Sequence, residues 1–340
     1  MIRKILKNMD WGILVCVIVL LAVGLVALFS ATQGSDYEEF KKQIMWLAIS
    51  IPIMLILIFI DYNTISKISP ILYVIMLISL VAVLFTKSVN GATSWFNIGS
   101  ISIQPAEFAK VIVIITLSTY ISKIQEKGKD QISRPTRLLM ALIIVAVPVL
   151  LIVKQPDYGT AITFVIATIF ILFTAGIKKR YIITGILLTV ILLPTLYFFV
   201  LPEHAKTRID VFLNPNLDPR GAGYNVIQSK LAIGAGEFLG MGVLKGNQTQ
   251  LGFLYPKTTD FIFAVVGEEM GFIIAATVII TYVVLITRTV FIAKTAKNNL
   301  GSYISIGIAG IFLFHMAENI GMTMGLLPIT GVPLPFVSYG

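Results

Sequence analysis

The stretch WGILVCVIVLLAVGLVALFSA, Trp11–Ala31, carries no charged residue and a single hydroxyl, Ser30. A helix rises about 1.5 Å per residue, so roughly 20 residues of this kind cross a hydrocarbon layer about 30 Å thick. Runs of the same character recur to the end of the chain. Taken together they predict about nine spans: Trp11–Ala31, Ile44–Ile60, Ile68–Thr86, Pro105–Ser122, Leu138–Val153, Tyr158–Gly176, Tyr181–Leu201, Asp260–Thr287 and Ser302–Met322. The composition agrees, with 57% hydrophobic and 13% charged residues among 340, where a soluble domain carries about a quarter charged. The expected fold is an all-α polytopic membrane protein, read as one membrane domain over residues 1–340. A long loop, Pro202–Thr259, separates its seventh and eighth helices.

Cys16, the one cysteine, lies inside the first span, so no disulfide forms within the chain. The first apolar run is too long for a signal peptide and ends at no small-x-small site, which predicts an uncleaved anchor. A net charge of +9 raises the question of nucleic acid, but the basic residues are scattered along inter-helix loops with no basic domain or tail. Membrane topology accounts for them better. Arg3/Lys4/Lys7, Lys67, Lys123 to Arg137, Lys178-Lys179-Arg180 and Arg288 to Lys297 fall on one side if the spans alternate, and by the positive-inside rule that side is the cytoplasm. The N-terminus is then cytoplasmic, and Thr32–Gln43, Lys87–Gln104, the Lys154–Asp157 turn, Pro202–Thr259 and Gly325–Gly340 face outward. Within the long loop, Val226–Leu239 is amphipathic and suited to lie along the interface. No internal repeat or low-complexity tract is present.

Ionisable groups at membrane depth are costly and therefore candidates for function. Glu107 and Lys110 share one face at the start of the fourth span; they suit either an ion pair holding helices in register or a contact to substrate in a wet cavity. In the turn Lys154-Gln155-Pro156-Asp157, capping explains Asp157 but leaves Lys154 and Gln155 unexplained. Asp260 opens the eighth span, where it reads as an N-cap or as a base; Glu268 and Glu269 follow on the same helix, and three carboxylates exceed what capping requires. An aspartate at the rim of a low-dielectric cavity, its pKa nudged upward, suits a general base. His315, Glu318 and Asn319 share one face of the ninth span; they are too few and wrongly spaced for a metal site and suit a polar helix contact. Lys206, Arg208, Arg220, Lys230, Lys245 and Lys257 make the outer loop cationic, which fits a phosphate or pyrophosphate headgroup or a plain solvated surface. No P-loop, dinucleotide fingerprint, zinc-ligand set or nucleophile elbow occurs.

Five motifs in order, Asn90-Gly91-Ala92-Thr93-Ser94-Trp95, Gln104-Pro105-Ala106-Glu107-Phe108-Ala109-Lys110, Gln155-Pro156-Asp157-Tyr158-Gly159-Thr160-Ala161, Thr259-Asp260-Phe261 with Glu268-Glu269, and Gly331 through Gly340, resemble the SEDS family over nearly the whole chain. The stretch Gly246–Leu254 resembles its RodA branch more than its FtsW branch. The resemblance implies a peptidoglycan glycosyltransferase that polymerises lipid II outside the bacterial cytoplasmic membrane during elongation. A class B penicillin-binding protein and other elongation-complex membrane proteins are its implied partners. The family's essential loop aspartate maps onto Asp260, its fourth-helix Glu and Lys onto Glu107 and Lys110, and its Gln-Pro-Asp turn onto Gln155 to Asp157. Family members have a tenth helix beyond the Ser-Tyr-Gly, so the chain is expected to stop one helix short. It also departs from the family at Asn225, Glu237 and Met241.

On this reading Asp260 is the catalytic base. The substrate contacts are Glu107, Lys110, Lys154, Gln155, Asp157, Arg208, Lys230, Lys257, Glu268 and Glu318. Loop cations, or a divalent Mg or Mn ion held by carboxylates, would neutralise the leaving pyrophosphate. The competing readings are a flippase for the same lipid, which would spread its charges through the depth of the bundle, and a non-catalytic scaffold.

Overall fold

The computed structural model describes residues 9–86, 93–99, 101–199, 202–219 and 221–339. Arg3, Lys4, Lys7, Arg220, Gly340 and the Asn90-Gly91-Ala92 part of the first motif lie outside them. Helices dominate the described residues: α1 (Trp11–Ala31), α2 (Glu38–Phe59), α3 (Tyr62–Val83), α4 (Pro105–Gln125), α5 (Pro135–Val153), α6 (Tyr158–Thr174) and α7 (Lys179–Phe199). The long loop contributes α8 (Glu203–Leu213), α9 (Ala222–Ala235) and the single turn α10 (Asn247–Gln250), and α11 (Ile262–Thr295) and α12 (Asn299–Thr323) follow. One hairpin, β1 (Phe96–Ile98) with β2 (Ile101–Ile103), precedes α4. Seven of the helices, α1, α2, α3, α5, α7, α11 and α12, are long and apolar enough to cross a membrane, and α6 is a shorter apolar helix.

Among the described residues each predicted span is largely helix, but the bounds differ: α2, α3, α5, α7 and α12 begin before their spans, while α3 ends at Val83 rather than Thr86, α6 at Thr174 rather than Gly176, and α11 starts at Ile262 rather than Asp260. Hydropathy marks the lipid-immersed length, whereas a helix continues until its end groups are satisfied. Asp10, Asp61 and Asp157 accept from the amides of Ile13, Asn63 and Thr160 and so start α1, α3 and α6. Pro105 and Pro135 sit in first turns, where a missing N–H costs nothing. Outward faces are apolar: Ile186, Leu187, Val190 and Ile191 of α7 are all exposed. Water would not tolerate that surface; lipid does.

The helices group into two compact units, one of Met1–Met54, Leu201–Arg288 and His315–Gly340, the other of Leu55–Val200 and Thr289–Phe314. In the second unit the core lies between α3, α4, α5 and α6, with Leu80, Ala106, Leu117, Ile152, Phe164 and Ile171 buried in it. Polar ties cross that core. Tyr73 donates to the Ile144 carbonyl at 2.8 Å and Gln125 to the Ala175 carbonyl at 2.8 Å, while the Tyr303 hydroxyl binds Gln125.

In the first unit α11 is broken at Gly271, whose φ of 74° and ψ of −175° are not helical. An unbroken helix would pair the Glu268 and Glu269 carbonyls with the amides of Phe272 and Ile273. Instead Met241 and Gly242 donate to those carbonyls at 2.9 and 3.0 Å, and the Phe272 and Ile273 amides donate to Glu237 and Phe238 at 2.9 and 3.3 Å. The chain after α9 thus lies in the break and satisfies all four groups. The amphipathic stretch expected over Val226–Leu239 is therefore helical only to Ala235. Such close approach excludes side chains: a Cβ on Gly240 would meet the Glu269 carbonyl, and one on Gly271 the Gly240 amide. Gly240 and Gly252 share a positive φ, 82° and 79°, but nothing lies within 4 Å of a Cβ at Gly252. Gly252→Ala is expected to cost about 1 kcal/mol, the left-handed penalty alone. Gly240→Ala is expected to cost more than twice that or to abolish the folded protein, as read by thermal unfolding in detergent.

Candidate active site

In the first unit Asp260 sits just ahead of α11, half-buried, in a segment tied down from several sides. Ser338 donates through Oγ to the Thr259 carbonyl at 2.8 Å, and the Tyr339 amide donates to the Thr258 carbonyl at 2.9 Å. Asn319 of α12 donates through Nδ2 to the carbonyls of Asp260 at 3.0 Å and Val332 at 2.9 Å. The returning segment therefore runs beside Asp260, and a Cβ on Gly331 would lie 3.5 Å from Asp260 Oδ2. Gly331 thus brings backbone and no side chain up to the carboxylate. Burial pushes the Asp260 carboxyl above its ordinary value, while the Thr259 hydrogen bond and the Arg208 charge pull it part of the way back.

Arg208, on α8, reaches the Ile329 carbonyl at 3.4 Å. Together with Lys230 of α9 it lines a cleft enclosing ≈ 240 Å³, solvent-open space included, with apolar walls from Val211, Phe212, Val226, Leu327 and Ile329. Both cations are exposed at this cleft. Glu318 is buried and accepts from the Thr330 hydroxyl at 2.8 Å, one residue from Gly331. Arg208, Lys230, Glu318 and Asp260 thus each lie against one extended segment, residues 327–332.

Glu268 and Lys257 are occupied elsewhere. Glu268 is fully buried and accepts from the Gln248 amide at 2.6 Å, the Thr249 amide at 3.0 Å and the Thr249 hydroxyl at 2.6 Å, so it caps α10. Glu269 accepts from the Leu244 and Gly246 amides and from Gln250. Lys257 donates to the Thr249 carbonyl at 2.8 Å, and burial pushes its ammonium pKa down. These three side chains fasten the loop before Asp260.

The second unit assembles the other polar motif. Glu107 and Lys110 pair at 2.9 Å; Lys110 is buried and Glu107 exposed. Gln104 donates to Asp157 Oδ2 at 2.7 Å, while the Thr160 amide donates to Oδ1 at 3.1 Å. The capping reading holds here, since Asp157 caps α6, and the same carboxylate also joins a polar cluster with Gln104. Burial pushes the Asp157 carboxyl up, the Thr160 hydrogen bonds oppose this, and Glu107 and Lys110 act in opposite directions. Gln155 is fully buried, donates to the Leu80 carbonyl at 3.2 Å and leaves Oε1 without a partner among the described residues. Lys154 is exposed at the end of α5, outside the cluster. Among the described residues no group of three or more His, Cys, Asp or Glu stands ready to hold a metal.

Residues 10–340 match the model of the family FTSW_RODA_SPOVE, described as cell cycle protein. The chain belongs to that family. Its curated relatives include the peptidoglycan glycosyltransferase MrdB of Escherichia coli strain K12, 35% identical over 336 residues that span 98% of this chain and 89% of MrdB. Another is the peptidoglycan glycosyltransferase RodA of Treponema pallidum strain Nichols, 30% identical over 98% of this chain and 94% of RodA. A solved chain from work on structural coordination of polymerization and crosslinking by a peptidoglycan synthase complex superposes with a TM-score of 0.84 at 25% identity, covering 98% of this chain and 92% of that one. The family resemblance and the polytopic helical fold are both borne out. The sequence missed Gln104 and Gly331 as site residues, although both stood in quoted motifs. A glutamine before a helix and a glycine in a Thr-Gly-Val-Pro turn carry no charge to draw attention.

Because the folded protein holds the Asp157 proton to a higher pH than the unfolded chain, this carboxyl favours folding most below 3.8, and that contribution is lost as pH rises through the raised value. Asp157→Asn keeps the cap and removes the titration. The melting temperature of the variant relative to the parent is expected to increase from pH 4 to pH 7; a constant difference would show that the carboxyl does not titrate as described.

Proposed function

We propose that the chain is a peptidoglycan glycosyltransferase that polymerises lipid II at the outer face of the cytoplasmic membrane. The observation that carries this reading is Asp260, its carboxyl pushed up by burial, within the influence of the Arg208 charge and facing Gly331, which carries no side chain. The names of MrdB and RodA support the same class of reaction. In the proposed step Asp260 takes the proton from the 4-hydroxyl of one lipid-linked disaccharide as that oxygen bonds to the anomeric carbon of another. The bond from that carbon to the pyrophosphate oxygen breaks, and undecaprenyl pyrophosphate leaves with the electron pair. Arg208 and Lys230 are suited to stabilise its growing charge. A divalent cation would find Asp260 but no clustered protein carboxylates among the described residues, so no step is assigned to Mg or Mn.

Substrate contacts are assigned to Glu107, Lys110 and Asp157 in the second unit, with Glu318 beside Thr330 in the first. Glu268 and Lys257 serve the loop in this reading, and Lys154 and Gln155 flank the Asp157 turn. A class B penicillin-binding protein is the proposed partner, in line with the crosslinking described for the solved complex.

Purified Asp260→Asn protein is expected to fold and bind lipid II yet make no glycan; normal polymerisation would remove Asp260 from the chemistry. A base must be unprotonated, so the rate should rise with pH through a value above the ordinary 3.8. Arg208→Ala removes a charge that lowers that value and should move the acid limb to higher pH. Orientation is tested by labelling: with Cys16 changed to Ser, a cysteine replacing Lys245 should react with an impermeant maleimide from outside, and one replacing Lys179 only after the membrane is opened.

A further inference from the structure

Each member of the polar stripe of α12 contacts the extended segment that returns beside Asp260. His315 Nδ1 lies 2.9 Å from the Pro333 carbonyl, Glu318 accepts from Thr330, and Asn319 donates to Val332. Asn319 goes further than its neighbours, since its second amide hydrogen reaches the carbonyl of Asp260. An amide nitrogen has two hydrogens, so both donors are spent on backbone oxygens of the two segments that face each other across the carboxylate. Its own Oδ1 is buried without a partner among the described residues. Leaving a buried acceptor unpaired is unfavourable, so this side chain is not the one that stability alone would select in the core. Ser338 makes a second bridge between the same segments: its Oγ accepts from the Leu334 amide at 2.8 Å and donates to the Thr259 carbonyl at 2.8 Å.

We propose that Asn319 and Ser338 are positioning residues that clamp the Asp260 segment to the segment 329–334 and so set the distance and direction of the Asp260 carboxylate relative to the substrate hydroxyl. Neither touches the reacting atoms. Both act through backbone carbonyls of residues 259, 260 and 332, which fix the peptide plane from which the Asp260 side chain departs. A helix in lipid is a rigid mount, and a buried polar network that is nearly satisfied holds one geometry. The inference rests on the reading of Asp260 as the base.

The test compares Asn319→Ser, too short to span both carbonyls, and Ser338→Ala with the parent protein in a lipid II polymerisation assay. A misplacement of about 1 Å costs on the order of 100-fold in rate, so Asn319→Ser is expected to lower kcat by about that factor with KM for lipid II changed less than about threefold. Ser338→Ala, which releases one carbonyl, should lower kcat by about 10-fold with the same KM pattern. Asp10→Asn is the control for stability alone, because Asp10 caps α1 and pairs with Arg288 at 3.0 Å elsewhere in the first unit. It should lower the melting temperature and leave kcat unchanged. If Asn319→Ser does not fold, Ser338→Ala decides. Unchanged kcat in the folded variants, or a loss matched by Asp10→Asn at equal melting temperature, overturns the clamp. Asp260→Asn assayed alongside separates the two claims: an active Asp260→Asn sinks the base, whereas an inert one with normal clamp variants sinks only the clamp.

Discussion

No backbone amide or carbonyl can be left unpaired in hydrocarbon, where water is not there to meet it. An unbroken helix obeys this rule by itself, so most of the chain needs nothing more than length and apolar faces. α11 does the opposite, breaking at Gly271 just after Glu268 and Glu269, and the interruption is workable only because residues 237–242 fill the gap with their own amides and carbonyls. That exchange of four hydrogen bonds explains the glycines at 236, 240 and 271, the path of the loop after α9, and why Glu268 and Glu269 point into that loop.

From this anchor the arrangement around Asp260 is built outward. Glu268 and Glu269 hold the loop through its amides, Lys257 ties the segment before Asp260 to the Thr249 carbonyl, and the stripe of α12 holds the strand on the other side. Buried carboxylates without a matching cation would be costly, but several donors per carboxylate offset the lost hydration. Asp260 is held differently: Thr259 hydrogen-bonds to its carboxyl, the Arg208 charge acts on it, and Gly331 brings no side chain against it. This is the setting of the proposed base.

Charge in this chain therefore has two distinct uses that look alike in the sequence. Glu268 and Asp260 are both acidic residues near the start of one helix, and both were read as chemistry; only the hydrogen bonds separate the latch from the candidate base. Lys230 and Lys257 are likewise both loop lysines. One faces the cleft, and the other serves a carbonyl inside the fold. The same holds for His315, Glu318 and Asn319, whose common face was legible from their spacing, though what that face grips was not.

Sequence by itself determined the helical, membrane-embedded character of the chain, because 21 apolar residues in a row such as Trp11–Ala31 have only one stable form in lipid. It also marked the start of α6 through the cap Asp157, and it pointed through charge at Asp260, Glu107 and Lys110. These are local properties, set within a turn or two of chain. Tertiary structure alone decided that α11 breaks at Gly271 and that Gly331 comes to face Asp260. It alone spent Glu268 on backbone amides and left Arg208 and Lys230 at the cleft. Each of those outcomes joins residues 19 or more positions apart, and a contact across such a distance depends on packing that no local pattern encodes.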